Sequence, residues 1–206
     1  MKIAIVDYGM GNIHSLKGAL AYISSSADIA LVNDDKSLSE ADLIFLPGVG
    51  HFKTAMEALG SLGLAEVLKM LVIDKKKPIM GICLGMQLLF SNSSEGGISP
   101  GLGFVDGKVR RIKDGAEKIP HIGFDDVSTA SGGKMFTGIS KLDFYFVHSY
   151  CVKDADNESK VSYCDYNENF VASVEKEHIW GTQFHPEKSQ GSGLQLLSNF
   201  IATYGH

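Results

Sequence analysis

The residue with the clearest potential for chemistry is Cys83, which lies in a Gly-x-Cys-x-Gly segment from Gly81 to Gly85. The apolar run Ile79–Ile82 before it is typical of a short buried strand, and Met86–Phe90 after it favours helix. Such a turn is a nucleophile elbow, whose glycines avoid crowding the neighbouring backbone. It places the sulfur at a helix N-terminus, where a thiolate is favoured. The alternative is a buried cysteine that packs as a small hydrophobic residue.

A second candidate group is His185 with Glu187, in the segment Gln-Phe-His-Pro-Glu-Lys-Ser. Two residues apart in extended chain, both side chains project to the same side. The carboxylate can then bond one imidazole nitrogen and leave the other for a thiol. By itself the segment is more typical of a surface turn. Together with the elbow it predicts Cys83 as nucleophile, His185 as base and Glu187 as orienting carboxylate.

A glycine-rich turn, Pro47-Gly48-Val49-Gly50, follows another apolar strand. The backbone amides of Gly48 and Val49 can form an oxyanion hole together with the amide of Leu84, the residue after the nucleophile. The alternative is a simple turn after a strand. We predict the oxyanion hole, because both turns are expected at one edge of a sheet.

The order of elements predicts that shared edge. Strands at Lys2–Asp7, Ile29–Val32, Leu43–Leu46 and Ile79–Ile82, with helices at Ile13–Ile23 and within Lys53–Lys76, are typical of a parallel sheet covered on both faces. Ligands bind such sheets at the carboxyl ends of the strands. After a polar loop at Ser91–Gly97, short alternating segments predict an additional antiparallel or mixed sheet, closed by a helix over Leu194–Ala202. The predicted fold class is α/β, with one domain over residues 1–206.

Composition excludes several classes of protein. The 206 residues are 44% hydrophobic and 21% charged, with a formal charge of −5 and no dense basic patch, which argues against nucleic acid as a ligand. No apolar run approaches the ~20 residues of a membrane span. Three cysteines without metal-like spacing suit a reducing compartment. We therefore expect a cytoplasmic protein without a metal, a cofactor, a membrane or nucleic acid as partner.

The elbow Gly81–Gln87 and the segment Phe184–Glu187 together resemble class I, triad-type glutamine amidotransferases over nearly the whole chain. Within that class, the segments Asp7–Asn12, Leu46–Phe52 and His185–Ser189 are similar to the glutaminase subunit of imidazole glycerol phosphate synthase. The glutaminase of pyridoxal phosphate synthesis has a Pro-Gly-Gly-Glu-Ser sequence after the third strand, which is absent here.

The resemblance implies an activity and a substrate site. Cys83 would attack the side-chain amide of L-glutamine, and water would release glutamate from the thioester. The matching glutamine-binding positions are Gly50, Gln87 and Glu95, with Ser149 and Tyr150 closing over the substrate. Alternatively, Glu95 is a solvated loop residue and Gln87 an ordinary polar residue of a helix.

The resemblance also implies a partner. Ammonia would pass to a (β/α)8-barrel synthase subunit in a heterodimer, which builds the imidazole ring of histidine biosynthesis. Asn12 and Lys188 match partner-facing positions. Where the family has Pro-His-x-Gly-Trp-Asn at that surface, this chain has Phe124 and Asp125 in the last two places.

That departure keeps a second interpretation open, a paralogue that supplies ammonia to an amidinating synthase of surface-polysaccharide sugars. Two further alternatives are a partner-independent cysteine hydrolase or stress protein, and a catalytically idle binding subunit.

Overall fold

The computed structural model describes residues 1–129 and 132–205, so residues 130, 131 and 206 of the predicted domain lie outside the described residues. Within those ranges the strands, in chain order, are β1 (Lys2–Val6), β2 (Asp28–Val32), β3 (Leu43–Gly48), β4 (Ile79–Cys83), β5 (Phe90–Ser93), β6 (Ser99–Pro100), β7 (Val105–Arg111), β8 (His121–Asp126), β9 (Asp143–His148), β10 (Tyr150–Ala155), β11 (Lys160–Tyr166), β12 (Glu168–Lys176) and β13 (Ile179–Thr182). The α-helices are α1 (Ile13–Ile23), α2 (Asp35–Glu40), α3 (Phe52–Ser61), α4 (Leu64–Lys69), α5 (Leu84–Leu88) and α6 (Gln190–Tyr204). A π-helical turn (Met70–Asp74) follows α4, and a 3-10 turn (Pro186–Lys188) precedes α6. Among the described helices, none has the length and apolar character to cross a membrane.

A seven-stranded sheet in the order β11-β12-β13-β4-β3-β1-β2 forms the centre of the fold. Its strands from β13 to β2 are parallel, and β12 and β11 extend one edge in antiparallel pairing. Strand β3 illustrates why both faces are covered: Leu43 and Phe45 pack into one apolar cluster, and Ile44 and Leu46 into the other. Successive side chains of a strand point to opposite faces, so an unbroken apolar strand requires a core on each side. The predicted mostly parallel α/β sheet is confirmed.

Two smaller sheets come mainly from the second half of the chain. One has the order β10-β7-β5-β6 and is antiparallel except where β5 pairs with β7, and β8 and β9 form an antiparallel pair. The predicted additional antiparallel sheet is therefore confirmed. Strands β11 to β13, predicted with it, belong instead to the central sheet.

One helix was not predicted and one predicted helix ends early. Helix α2, where no element was predicted, begins where the Asp34 carboxylate accepts a hydrogen bond from the Ser37 amide at 2.9 Å. Helix α5 ends before Phe90, and the predicted loop begins instead with strand β5. Phe90 is fully buried and pairs with Val105, so burial and strand pairing override its neighbours' preference for helix.

Candidate active site

Cys83 ends β4 and directly precedes α5, at the carboxyl edge of the parallel strands. Its backbone has φ 55° and ψ −113°, a conformation that L-residues rarely adopt. Such strain persists only where the surroundings enforce it, and it is concentrated at functional sites. A β-carbon on Gly81 would lie 2.8 Å from the Met86 Cα, so the strand and helix meet too closely for a side chain there. The predicted elbow is present.

His185 and Glu187 follow β13, and their side chains are in contact. His185 Nδ1 lies 2.8 Å from Glu187 Oε1, and both side chains are only 2% exposed. The sequence analysis expected them to meet in extended chain. They meet instead through the 3-10 turn that begins at Pro186, whose fixed φ suits the first position of such a turn.

The charge state of His185 reflects its neighbours. Burial lowers the pKa of His185, but the Cys83 sulfur and the Glu187 carboxylate outweigh that effect and raise it to about 10. A protonated imidazole beside a cysteine is half of a thiolate–imidazolium pair. The Nε2 atom is buried and has no hydrogen-bond partner within the described residues. That nitrogen is therefore available to exchange a proton with the sulfur or with a ligand.

Cys83 opens into a cavity of about 250 Å³, a volume that admits a ligand of amino-acid size. The cavity brings together the five predicted substrate-binding residues and two of the three predicted oxyanion residues. It is lined by Val49, Gly50, Cys83, Leu84, Gln87, Glu95, Val147, His148, Ser149 and Tyr150. Small concave sites with a few convergent polar groups are typical of ligand binding.

Gly48, the third predicted oxyanion residue, lies beside Cys83 in the register of the sheet. The buried Tyr8 hydroxyl donates a hydrogen bond of 2.8 Å to the Pro47 carbonyl, which fixes the peptide plane between Pro47 and Gly48. The loop that carries the predicted oxyanion amides is thus anchored at its first peptide.

Glu95 faces both the cavity and a helix end. Its Oε2 accepts a hydrogen bond of 2.7 Å from the Phe52 amide at the first residue of α3, where a negative charge is favoured by the helix dipole. A carboxylate accepts several hydrogen bonds, so this anchor leaves capacity for a cationic ligand group. Glu95 is therefore not a freely solvated loop residue.

The sequence analysis missed two polar residues of this region, His148 and Gln183. His148 lines the cavity, and its Nδ1 lies 2.8 Å from the Tyr150 carbonyl oxygen and its Nε2 3.2 Å from His121 Nδ1. Gln183 is fully buried directly after β13. Each of these polar residues lies in an otherwise apolar strand segment, and that pattern could have indicated a buried polar residue near the site.

We expect the burial of His148 to make stability depend on pH. Burial lowers the pKa of His148 from 6.5 to about 3, partly opposed by the hydrogen bond to the Tyr150 carbonyl. The unfolded chain therefore binds a proton that the folded chain excludes, and the stabilisation present above pH 6.5 is lost as the pH falls toward 3. His185, whose pKa is raised, is protonated in both states below pH 6.5 and adds no slope there. Urea unfolding should show a loss from this residue of about 1.4 kcal/mol per pH unit below about pH 6.

His148→Gln should flatten that dependence between pH 6 and pH 4. The exposed His14 of α1 provides the control, because His14→Gln should leave the slope unchanged. Parallel curves for the wild type and His148→Gln would contradict the assignment.

Two of the predicted partner-facing residues meet around Tyr145. Phe124 is 45% exposed and packs edge-on against the Tyr145 ring at 5.5 Å, and Lys188 Nζ lies 5.7 Å from the centre of the same ring. Tyr145 is joined to the site, since its carbonyl accepts a 2.9 Å hydrogen bond from the His185 amide. Asn12 directly precedes α1, which contacts the 3-10 turn that contains Lys188. Phe124 and Lys188 therefore lie around a residue that is hydrogen-bonded to His185.

Asp125, the second departure from the family motif, lies beside a buried histidine. Its Oδ2 is 3.5 Å from His121 Nε2, and His121 in turn contacts His148. Burial lowers the pKa of His121, and Asp125 partly opposes that shift. The departure thus changes a charge that faces a histidine pair connected to the cavity.

Comparison with known proteins agrees with this geometry. Residues 4–203 match the family described as glutamine amidotransferase class-I. Imidazole glycerol phosphate synthase subunit HisH 1 of Campylobacter jejuni (strain RM1221) is 47% identical, over 97% of this chain and 98% of its own. Subunit HisH of Aquifex aeolicus (strain VF5) is 44% identical, over 97% of this chain and 96% of its own.

A crystal structure of a glutamine amidotransferase superposes with a TM-score of 0.77 at 17% identity, over 98% of this chain and 99% of that one, which supports the fold alone. In both sequence comparisons, almost the whole of this chain aligns with almost the whole of the relative. The chain therefore belongs to the class-I glutamine amidotransferases, and within them to the family of HisH subunits of imidazole glycerol phosphate synthase.

Proposed function

We propose that this chain is a single glutaminase domain that hydrolyses L-glutamine to glutamate and delivers ammonia to a synthase partner for imidazole glycerol phosphate formation in histidine biosynthesis. The observation that carries the proposal is the meeting of Cys83, the His185–Glu187 pair and an amino-acid-sized cavity at one sheet edge. The sequence that carries this site aligns with HisH subunits over 97% of its length.

The reaction uses Cys83 as nucleophile. Its thiolate attacks the side-chain amide carbon of glutamine, and a carbon–sulfur bond forms as the carbonyl π electrons move to oxygen. His185 gives its Nε2 proton to the nitrogen of the amide, and the carbon–nitrogen bond breaks as the electrons on oxygen return to the carbonyl, which releases ammonia and leaves a thioester. His185 then takes a proton from the water that adds to the thioester, and the carbon–sulfur bond breaks to release glutamate and restore the thiolate. Glu187 holds the imidazole through Nδ1 and balances its positive charge.

The cavity residues bind the substrate and its developing charge. The backbone amides of Gly48, Val49 and Leu84 stabilise the oxyanion. Glu95 faces the substrate ammonium group, and Gly50, Gln87, Ser149 and Tyr150 surround the rest of the amino acid. All of these residues except Gly48 line one cavity with Cys83, and Gly48 pairs with Cys83 in the sheet, which supports these roles.

The partner is proposed to be a (β/α)8-barrel subunit that forms a heterodimer with this chain in the cytoplasm. Asn12, Phe124 and Lys188 face it, and ammonia passes between the subunits through a channel. The names of the relatives, which describe subunits of a synthase, support a partner. The polysaccharide-locus alternative is not favoured, because those relatives are HisH subunits at 44–47% identity.

The test is glutamate release from glutamine by the chain alone and with the candidate barrel subunit and its nucleotide ligand. We expect a large rise that requires partner and ligand together, with no activity for Cys83→Ala. Cys164→Ala is the matched control, because this buried cysteine lies outside the cavity and should leave activity intact. Glutamate release only with a polysaccharide-locus barrel would identify a paralogue, and none with any partner would overturn the proposal.

A further inference from the structure

We infer that Gln183 is a positioning residue for the nucleophile. Its side-chain amide donates a hydrogen bond to the Cys83 sulfur and, through Gln87, connects that sulfur to the wall of the substrate cavity. The inference rests on the proposed function only in treating Cys83 as the nucleophile. Gln183 Nε2 lies 3.8 Å from Cys83 Sγ, within reach of a large sulfur acceptor.

The backbone of Gln183 is fixed, and its side chain is out of reach of water. Its amide N–H donates a 2.8 Å hydrogen bond to the Ala172 carbonyl of β12. The residue is fully buried. A buried carboxamide must find partners within the protein, because each unpaired polar group there costs free energy. Few conformations of the Gln183 side chain are therefore possible.

The Tyr150 carbonyl determines how the side-chain amides of Gln87 and Gln183 are oriented. The Tyr150 carbonyl oxygen, which can only accept, lies 2.8 Å from Gln87 Nε2. Gln87 must therefore present its amino group there, and the same group donates to Gln183 Oε1 at 2.9 Å. With its oxygen committed to Gln87, Gln183 turns its own amino group toward Cys83. The chain of donors runs from the cavity wall to the sulfur.

Besides His185, the Cys83 sulfur has a hydrogen-bond acceptor and a hydrogen-bond donor beside it. Val147 offers a carbonyl oxygen at 3.8 Å, which accepts from a thiol S–H, and Gln183 offers an N–H, which a thiolate accepts. A hydrogen bond to the charged form favours that form. Gln183 thus favours the reactive thiolate and holds it where Gln87, a cavity residue, is also held.

The test compares Gln183→Met, which keeps the length and removes the donor, with Thr182→Val. Thr182 is the adjacent buried residue, and its hydroxyl donates to the Phe184 carbonyl at 3.0 Å without touching the sulfur. The measurement is the pH dependence of Cys83 alkylation by iodoacetamide in the isolated chain, followed by peptide mass spectrometry. Gln183→Met should raise the midpoint by about one pH unit and slow alkylation about tenfold at pH values below the midpoint. Thr182→Val should lower thermal stability and leave the midpoint unchanged.

An unchanged midpoint in folded Gln183→Met would overturn the inference, since a packing role alone would not move it. If that variant does not fold, the wild type decides. The side-chain amide resonances of Gln183 in the ¹⁵N-labelled chain should shift with pH at the alkylation midpoint, and not in Cys83→Ala. Resonances that do not respond would overturn the inference. Neither measurement requires glutamine turnover, so a failure of the proposed function would be seen separately.

Discussion

Replacing Glu187 with glutamine should lower the turnover number for glutamine about a thousandfold, with KM nearly unchanged. The two side chains have the same shape, so the substitution tests charge and hydrogen-bond direction. Glu187 Oε1 lies 2.8 Å from His185 Nδ1 in a pair that is 2% exposed, where little solvent can substitute for the lost charge. Without it, the pKa of His185 falls toward the low value that burial favours, and the imidazolium that protonates ammonia is less populated.

Steady-state kinetics with the barrel partner and its ligand give the measurement, and Glu177→Gln is the matched control. Glu177 forms another histidine–carboxylate pair, 3.8 Å from His178 Nδ1, but its side chain is 76% exposed. That variant should keep full activity. Activity is measured below the melting temperature of Glu187→Gln, which should be lower than that of the wild type, because the substitution removes one charged partner of a buried ion pair. A loss of activity below tenfold would show that Glu187 does not orient the base.

The local geometry of the elbow was predictable because it is encoded within five residues. Two glycines around Cys83, after a buried strand and before a helix, leave few other conformations for the chain. The central sheet was predictable for a similar reason, since unbroken apolar runs such as Leu43–Leu46 require cover on both faces. The shared edge of the two glycine-rich turns then follows from parallel topology alone.

The parts of the site that were missed depend on contacts between distant residues. Gln183 bonds Cys83, 100 positions away, and Gln87, 96 positions away. Its position in an otherwise apolar segment marks Gln183 as unusual, but no local pattern shows which residues it contacts. The same is true of His148, whose burial depends on the packing of β9 beside Phe170. These residues are recognised only once the sheets are assembled.

Replacing Gly85 with alanine should destabilise the fold by about 3 kcal/mol or more, the upper end of the usual cost of overpacking a core, because the added group meets backbone atoms. A β-carbon at Gly85 would lie 1.7 Å from the carbonyl oxygen of Leu46 and 2.7 Å from its carbonyl carbon. Both are backbone atoms of the central strand β3, which pairs with strands on both sides and cannot move aside. The methyl group would force α5 away from the sheet and increase the distance between the turn at Pro47–Gly50 and the turn that contains Cys83.

Urea unfolding at pH 7 measures the effect, with Gly18→Ala as the control. Gly18 lies inside α1, and a β-carbon there meets nothing within 4 Å. That substitution should therefore stabilise the chain by up to about 1 kcal/mol, the helix propensity difference between the two residues. The opposite signs at two helical glycines separate a steric requirement from a general preference for glycine. If the free energy of unfolding of Gly85→Ala were within about 1 kcal/mol of the wild-type value, α5 could move aside, and the close approach of helix and strand would not be what holds Cys83 in its strained conformation.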